Sequence, residues 1–338
     1  MSISTAGHLP YQIIGIKYVF AYRYIMIISV SRRTDIPAFH SEWFMNRLRA
    51  GYVLVRNPVY RTLVHRIDLS KSNVDCLFFV SKDPRPLEPH LKEIASMGHM
   101  CVFNITMNPY GKDLEPFVPP RYEVNDACIR IAEVIGRDRM AWRYDPVIFN
   151  NRQDIKYHTR KFSLFCKEAS AWTDRCIFSF INMYGKLGQV AENGLIRKVS
   201  KQEMIDFAKM AGKVANDYGM SISNCCGDMD FSEYGISKRG CIDRGWMNSL
   251  NIPYESTDNR LREGCRCVRT IDIGEYDTCL HDCVYCYANR ADPSKRISKI
   301  YNAESELLWG ELSKRDRIVA LDSRCNGRLE DAAGLHFE

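Results

Sequence analysis

Short apolar runs alternate with longer amphipathic stretches along most of this 338-residue chain. An apolar run of four to eight residues is typical of a strand buried on both faces, and apolar residues spaced three or four apart are typical of a helix. The predicted strands cover residues 25–31, 76–81, 100–106, 140–144, 176–181, 220–223 and 268–274. The predicted helices cover residues 41–50, 86–97, 123–135, 154–170 and 200–218, and most are closely followed by a glycine, which commonly ends a helix.

This alternation predicts an α/β fold. Apolar strands linked by helices form parallel sheets that the helices cover. Seven strands in one chain favour a TIM-barrel-like parallel (β/α) barrel over an open sheet. Residues 52–68 interrupt the alternation, and we predict that they form an inserted hairpin.

Charged and polar residues follow several of the predicted strands. In a parallel barrel the carboxyl ends of all strands lie on one rim, where active sites are found. The residues expected at this rim are Arg32, Arg33, Asp35, Lys82, Asn108, Arg143 and Asp145. Aspartate or asparagine beside proline is also ordinary turn chemistry, so the alternative is that these segments only end strands. We interpret the rim as an active site, with Arg143 and Asp145 as its catalytic residues.

The fourteen cysteines are unevenly distributed. Cys279, Cys283 and Cys286 form a Cys-x3-Cys-x2-Cys loop directly after the last predicted strand. Three thiolates in such a loop bind three irons of a [4Fe–4S] cluster and leave the fourth iron open to a substrate or cofactor. The alternative is a structural zinc site in which His281 is the fourth ligand, although zinc sites usually combine two Cys-x2-Cys pairs.

A second group of cysteines precedes this loop. One of Cys225 and Cys226, with Cys241, Cys265 and Cys267, provides the four thiolates of a closed metal site. The stretch that joins them has no clear helix or strand pattern, so a metal would hold it in place. The group predicts either a second iron–sulfur cluster or zinc, and the alternative is four unrelated buried thiols.

Three motifs carry a resemblance to known families. They are ISVSRRTDIP at residues 28–37, WRYDP at residues 142–146 and CLHDCVYCYAN at residues 279–289. The last motif resembles the cysteine loop of radical S-adenosylmethionine enzymes, especially the spore photoproduct lyase-like branch. Residues 26–289 as a whole resemble a family of uncharacterised proteins, the domain of unknown function DUF1848.

The resemblance implies an iron–sulfur enzyme with a [4Fe–4S] cluster in the cysteine loop and S-adenosylmethionine as cofactor. It also implies that Cys225, rather than Cys226, belongs to the second cysteine group. In the radical enzymes this loop follows the first strand of the barrel, whereas here it follows the last. The resemblance therefore implies a circularly permuted barrel with a cysteine-rich metal-binding segment near its C-terminal end.

The predicted cofactor-binding residues follow from this permutation. The glycine-rich acidic segment that holds the methionine amino group in radical enzymes is absent, and Arg32, Arg33 and Asp35 occupy its permuted position. We expect Asp35 to bind the ammonium and an arginine to bind the carboxylate of S-adenosylmethionine through charge-assisted bonds. Tyr285 is expected to contact the adenine.

The missing acidic segment favours a second interpretation. In it, the chain is a non-catalytic iron–sulfur or zinc protein that binds nucleic acid or another partner without cleaving S-adenosylmethionine. The radical enzyme would instead need an electron donor for its cluster and would act on an unknown substrate. The net charge of +6, without a dense run of Lys and Arg, permits a nucleic-acid partner but does not strongly indicate one.

The sequence divides into four predicted parts. They are an N-terminal extension (1–25), the main part of the barrel (26–224), a cysteine-rich iron–sulfur segment with the last strand (225–290), and a C-terminal helix and tail (291–338). Residues 13–30 are apolar but include Lys17 and Arg23, so no membrane span is predicted. The long chain, its ample core and the lack of a recognisable signal peptide favour a reducing, cytoplasmic compartment over disulfides.

Overall fold

The computed structural model describes residues 25–185, 187–255, 264–289 and 301–321. In chain order, the strands are β1 (Ile27–Val30), β2 (Tyr52–Arg56), β3 (Leu63–Asp68), β4 (Cys76–Ser81), β5 (Cys101–Thr106), β6 (Met140–Val147), β7 (Arg175–Phe180), β8 (Ser221–Asn224), β9 (Ile236–Lys238), β10 (Ile271–Asp272) and β11 (Arg317–Ala320). The helices are α1 (Ile36–Phe39), α2 (Ser41–Ala50), α3 (Leu91–Ser96), α4 (Arg121–Ile135), α5 (Ile155–Ala169), α6 (Leu187–Glu192), α7 (Lys201–Asp217) and α8 (Arg244–Ser249). Short 3-10 turns lie at Glu88–His90, Arg137–Arg139 and Ser232–Tyr234.

Local sequence determines where the longer helices begin and end. Helix α7 starts with a capping box, in which Ser200 and Glu203 each accept the backbone N–H of the other. Asp154 caps α5 by accepting the N–H of Tyr157. Helix α2 ends at Gly51, whose φ of 75° lies in the left-handed region. All five predicted helices are present, whereas the short helices α1, α6 and α8 were not predicted from the sequence.

Eight strands form one parallel sheet in the order β10-β1-β4-β5-β6-β7-β8-β9. All seven predicted strands are present, although β10 is only two residues long. It pairs in parallel with β1, with Ile271 opposite Ile28. The eighth strand, β9, lies where no regular structure was predicted. Among the described residues the pairings end at β9 and β10, so the structure shows an open run of eight parallel strands. Closure into a barrel stays a prediction.

Alternate residues of the strands contribute to two cores. In β4, Leu77 and Phe79 pack into the larger core together with the helices, whereas Phe78 packs into a smaller core. We call the side of the sheet that carries Phe78 the inner face. Its core includes Trp246 of α8 and, from the cysteine-rich segment, Cys225, Cys241 and Cys267. The cysteine-rich segment therefore covers the inner face, and Trp246 fixes it by donating its indole N–H to the carbonyl of Asp138 at 2.8 Å.

A small second sheet lies beside the main one, in the order β11-β3-β2. The predicted hairpin is confirmed as the antiparallel pair β2–β3. Strand β11 was not predicted; it pairs in parallel with β3 and is held there by a two-bond ion pair between Arg56 and Asp316 at 2.6 and 2.9 Å. Of the predicted C-terminal helix and tail, residues 301–321 are described and contain this strand but no helix, while the rest lies outside the described residues. Residues 1–24 of the predicted extension also lie outside them. No helix in the described ranges is long and apolar enough to cross a membrane.

Candidate metal and cofactor site

After β10, the chain passes close to the residue that follows β1. A Cβ atom on Gly274 would lie 2.0 Å from Oγ of Ser31, so only glycine fits at this crossing. The crossing brings the following loop over the carboxyl ends of the strands. The residues that line this edge come from the ends of β1, β4, β5 and β6 and from the loop itself, as the sequence predicted for the rim.

Asp272 of β10 anchors the arginine pair at this edge. Its carboxylate accepts hydrogen bonds from Oγ of Ser31 at 2.6 Å and from the backbone N–H of Arg32 at 2.7 Å, and Nε of Arg32 lies 3.5 Å away. Burial raises the pKa of Asp272, but Arg33, Arg32 and the hydrogen bonds from Ser31 and the Arg32 N–H together hold the pKa below its usual range. Arg33 also lies over the ring of Tyr276, 5.4 Å from its centroid. Sequence reasoning missed Asp272, although an acidic residue between two isoleucines at a strand end was a usable signal.

Asp35 connects β1, β4 and the cysteine loop. It caps α1 by accepting the N–H of Ala38 at 3.1 Å, and it accepts Oγ–H of Ser81 and N–H of Lys82, both at 2.7 Å. Its Oδ2 also lies 2.9 Å from Nε2 of His281. These partners come from α1, from the end of β4 and from the cysteine loop, so the carboxylate serves as a junction between three chain segments. His281, the alternative zinc ligand, contacts Asp35 with one ring nitrogen and lies 3.4 Å from the Phe117 carbonyl with the other.

A buried polar network joins β4, β5 and Tyr285 of the loop. Nζ of Lys82 lies 2.7 Å from Oε1 of Glu115 and 3.2 Å from the hydroxyl of Tyr285. The amide of Asn108 donates to the same Glu115 oxygen at 3.1 Å, and the Tyr285 hydroxyl donates to it as well. Burial raises the pKa of Glu115, but Lys82 together with the hydrogen bonds from Tyr285 and Asn108 offsets this and lowers the pKa below its usual value. Sequence reasoning placed Lys82, Asn108 and Tyr285 at the rim but missed Glu115.

Arg143 and Asp145 lie next to this network on β6. They form an ion pair with each other, and Ser179 donates its hydroxyl to Asp145. Asn108 links them to the network by accepting the backbone N–H of Asp145 at 3.0 Å. Burial lowers the pKa of Arg143, but Asp145 and then the thiolates of Cys241 and Cys225 raise it above its ordinary value. Arg143 therefore lies between the charged edge and the second cysteine group.

The three cysteines of the predicted cluster loop lie within one another's electrostatic field. Burial raises the pKa of Cys279, and the thiolate of Cys286 raises it further. Burial also raises the pKa of Cys283, and the charge of Lys82 partly offsets this rise. The backbone N–H of His281 donates to the sulfur of Cys279, and that of Ala288 lies 3.4 Å from the sulfur of Cys286.

In the second cysteine group, pairs of sulfur atoms lie close together. The sulfurs of Cys241 and Cys267 are 3.3 Å apart, and those of Cys225 and Cys226 are 3.7 Å apart. The Cys225 thiol also interacts directly with those of Cys241 and Cys267, and Cys265 interacts with Cys226 and Cys267. All five cysteines of residues 225–267 thus form one contiguous group, including Cys226, which the sequence interpretation left out. No set of three or more His, Cys, Asp or Glu side chains in the described ranges is arranged as a preformed metal site.

Comparisons with known proteins identify a family but no activity. The model of the family described as "Domain of unknown function (DUF1848)" matches residues 27–288, which is most of the chain. A search of curated proteins found no match. Among solved structures, the carboxyl transferase domain of pyruvate carboxylase from Rhizobium etli, with 3-bromopyruvate, is similar at 12% identity and a TM-score of 0.26. That match covers 60% of this chain and 35% of the other, so this chain spans about a third of that structure's length.

Proposed function

We propose that this chain, which belongs to the DUF1848 family, is an iron–sulfur protein and a radical S-adenosylmethionine-like enzyme. The observation that carries the proposal is the Cys-x3-Cys-x2-Cys loop, which follows β10 at the carboxyl edge of the sheet. Three soft thiolates, with backbone N–H groups directed at two of the sulfurs and Lys82 beside the third, fit an anionic [4Fe–4S] cluster. Cys279, Cys283 and Cys286 would hold it.

The strand order supports the permuted relation to radical enzymes. When the sheet is followed from the edge at β10, its strands come in the order β10, β1, β4, β5, β6, β7, β8 and β9. Apart from β10 itself, this is chain order. Placing β10 first thus gives a parallel sheet in which the cysteine loop follows the first strand, as in the radical enzymes that the loop resembles.

The chain's own groups would bind the cofactor and shield the site. When bound, S-adenosylmethionine supplies a carbon radical that abstracts hydrogen from a substrate. Arg32 and Arg33 offer guanidinium groups for a carboxylate, Asp35 offers a carboxylate for an ammonium, and Tyr285 lies beside the loop. We propose that Arg143 and Asp145 orient the substrate, because their ion pair lies at the same edge. An external electron donor would reduce the cluster.

One observation favours the second candidate, an iron–sulfur protein that does not cleave S-adenosylmethionine. Asp35 already accepts hydrogen bonds from Ala38, Ser81 and Lys82 and contacts His281. An ammonium would have to displace one of these partners. A protein of this second kind would use Asp35 to position the loop, and its ligand would be nucleic acid or another partner.

The test is anaerobic reconstitution with iron and sulfide, followed by reduction in the presence of S-adenosylmethionine. The enzyme proposal predicts 5′-deoxyadenosine and methionine in equal amounts, and neither product from a variant in which Cys279, Cys283 and Cys286 are alanine. The Cys226→Ser variant, which keeps the loop, should form both products. An intact, reducible cluster that yields neither product would contradict the enzyme and favour the second candidate.

The role of Asp35 can be separated from simple loop positioning by two variants. Asp35→Asn removes the charge, whereas Ser81→Ala removes one hydrogen bond to Asp35 and leaves its charge. Weaker S-adenosylmethionine binding in Asp35→Asn alone, with the cluster intact in both variants, supports the cofactor role. Equal affinity in wild type and both variants would contradict it.

A further inference from the structure

The distances between the sulfur atoms of the cysteines that cover the inner face indicate whether these cysteines bind a single metal ion or a cluster. Four sulfurs placed tetrahedrally around one zinc ion, each at about 2.3 Å, are roughly 3.8 Å from one another. In a cubane each thiolate binds a different iron, so the four sulfurs lie well beyond contact distance. The sulfurs of Cys241 and Cys267 are 3.3 Å apart, those of Cys225 and Cys226 are 3.7 Å apart, and Cys225 also interacts with Cys241 and Cys267. These distances are closer to the spacing around one ion than to that of a cubane, although the thiols of the described residues are not yet arranged around an ion.

The backbone holds these cysteines together independently of their side chains. A Cβ on Gly240 would lie 2.6 Å from the backbone N of Cys267, so glycine allows the two chain segments to cross at close range. The N–H of Val268 donates to the carbonyl of Ile242 at 2.9 Å across the same crossing. Asn104 of β5 donates its amide to the carbonyl of Cys241 at 2.9 Å. The crossing therefore fixes Cys241 beside Cys267 on the inner face.

The charges around the group also fit an anionic tetrathiolate site. A divalent ion with four thiolates carries a net charge of −2, which is costly to bury without nearby cations. Arg143 and Arg32 are the cations whose charges act on Cys241. These two arginines provide the compensating charge. Arg143 thus compensates negative charge on this cysteine group and also forms an ion pair with Asp145.

From these contacts we infer that Cys225, Cys241, Cys265 and Cys267 bind one tetrahedral zinc ion that clamps the cysteine-rich segment onto the inner face. Tetrahedral coordination by thiolates is typical of structural zinc. The Cys241–Cys267 pair must separate by about 0.5 Å to reach tetrahedral spacing, a change within the reach of side-chain rotation. Cys226 has a positive φ of 55° and touches the group through Cys225 and Cys265. The inference assigns it as a fifth thiol that does not bind the ion, and this assignment is independent of S-adenosylmethionine chemistry.

The experiment uses the full chain with Cys279, Cys283 and Cys286 changed to alanine, so that the second group contributes all the tightly bound metal. We expect one zinc and no acid-labile sulfide per chain after expression and purification. Titration of the zinc-free protein with Co²⁺ should end at one equivalent and give the intense visible bands of tetrahedral cobalt with thiolate-to-cobalt charge transfer. Iron with stoichiometric sulfide, or no retained metal and no tetrahedral cobalt spectrum, would overturn the inference.

Two adjacent substitutions in this background test the ligand assignment. Cys226→Ser should keep one zinc per chain and the same cobalt spectrum. Cys225→Ser should weaken zinc binding by more than the roughly 10–100-fold seen when only a hydrogen-bond partner of a ligand is lost. Zinc loss in Cys226→Ser with retention in Cys225→Ser would overturn the assignment. If Cys225→Ser does not fold, Cys241→Ser takes its place, and the Cys226→Ser result still decides whether the fifth thiol is a ligand.

Discussion

The two cysteine groups of this protein use the same side chain in opposite ways. In residues 225–267 the sulfurs touch one another, the backbone segments cross at Gly240, and the group packs into a core behind Trp246. In the loop that contains Cys279, backbone N–H groups donate to the sulfurs of Cys279 and Cys286, and the charge of Lys82 acts on Cys283. Thiols packed sulfur against sulfur suit one structural ion, whereas thiols that accept N–H groups at a charged edge suit a cluster with an open position.

The comparison also shows how one sheet supports both groups. The second cysteine group lies on the inner face, toward which alternate residues of the strands point. The cysteine loop lies at the carboxyl edge, where the strands end. Arg143 lies between them: it pairs with Asp145 at the edge and acts on the thiolates of Cys241 and Cys225. A change at one group therefore need not disturb the other, except through this arginine.

The largest expected effect is complete loss of the cluster when the three cysteines of the edge loop are replaced. With alanine at Cys279, Cys283 and Cys286, reconstituted protein should hold almost no iron or sulfide and should lack the visible absorption of an iron–sulfur cluster. Its zinc content should be unchanged, because the inner-face thiols remain. Loss of zinc together with iron would break the proposed separation between the two groups. Metal analysis on both proteins in parallel measures this.

The next effect concerns the buried ion pair beneath the edge loop. Glu115→Gln leaves Lys82 buried without its charge partner, so we expect the free energy of unfolding to fall by about 3–5 kcal/mol. Glu93→Gln is the matched control, because Glu93 pairs with Arg49 on the surface and should leave the denaturation midpoint nearly unchanged. Similar midpoints for both variants in urea would show that the network beneath the loop carries no special stability.

The third effect is acid destabilisation that arises in the helix-covered core rather than at either cysteine group. His158 is buried between the Tyr144 hydroxyl at 2.7 Å and the Ile148 carbonyl at 2.8 Å, and burial lowers its pKa from 6.5 to about 4. The unfolded chain therefore binds a proton at a higher pH than the folded chain, and stability rises with pH. We expect about 3 kcal/mol to be lost as pH falls from roughly 6.5 to 4.

His158→Gln should flatten this pH profile, measured by urea denaturation at each pH. His40, whose pKa burial also lowers to about 4, will leave a residual slope of the same sign. The profile should be the same in the variant that lacks the edge cysteines. An unchanged slope in His158→Gln would contradict the assignment.

The smallest effect tests the chain crossing at the inner-face group. Gly240→Ala places a Cβ 2.6 Å from the backbone of Cys267, so the two segments must separate, at a cost of about 1–3 kcal/mol and with weaker zinc binding. Gly188→Ala is the control: its Cβ meets nothing within 4 Å, and alanine favours helix α6 by up to about 1 kcal/mol. Unchanged zinc affinity in Gly240→Ala would show that the crossing does not position the thiols.

The sequence predicted the parts of the fold that depend on local pattern. Strands with long apolar runs, such as β4 and β5, and helices with capping residues, such as α7, were found because their signals lie within a few residues. Strands β9 and β11 were missed because they are short, are polar or exposed, and are defined by their pairing with distant segments. The family was predicted too, from motifs that are contiguous in the chain, and the matching family model confirms it.

The site was predictable in its residue types but not in its pairings. Strand-end positions gave Arg32, Lys82, Asn108 and Asp145, because parallel strands end at one edge. Their partners came from elsewhere: Asp272 binds Arg32 from 240 residues away, and Glu115 binds Lys82 from a loop without a strand-end signal. Such long-range ion pairs depend on which strands are neighbours, which the sequence alone did not specify.

The central claim is that the two cysteine groups hold different metals, and counting iron, sulfide and zinc in one anaerobically reconstituted sample of the full chain tests it most directly. The account predicts about four iron and four sulfide for the edge loop, together with one zinc for the inner-face group. About eight iron and eight sulfide without zinc would contradict it, because both groups would then hold clusters. Zinc without iron or sulfide would also contradict this claim, because the edge loop would then hold no iron–sulfur cluster.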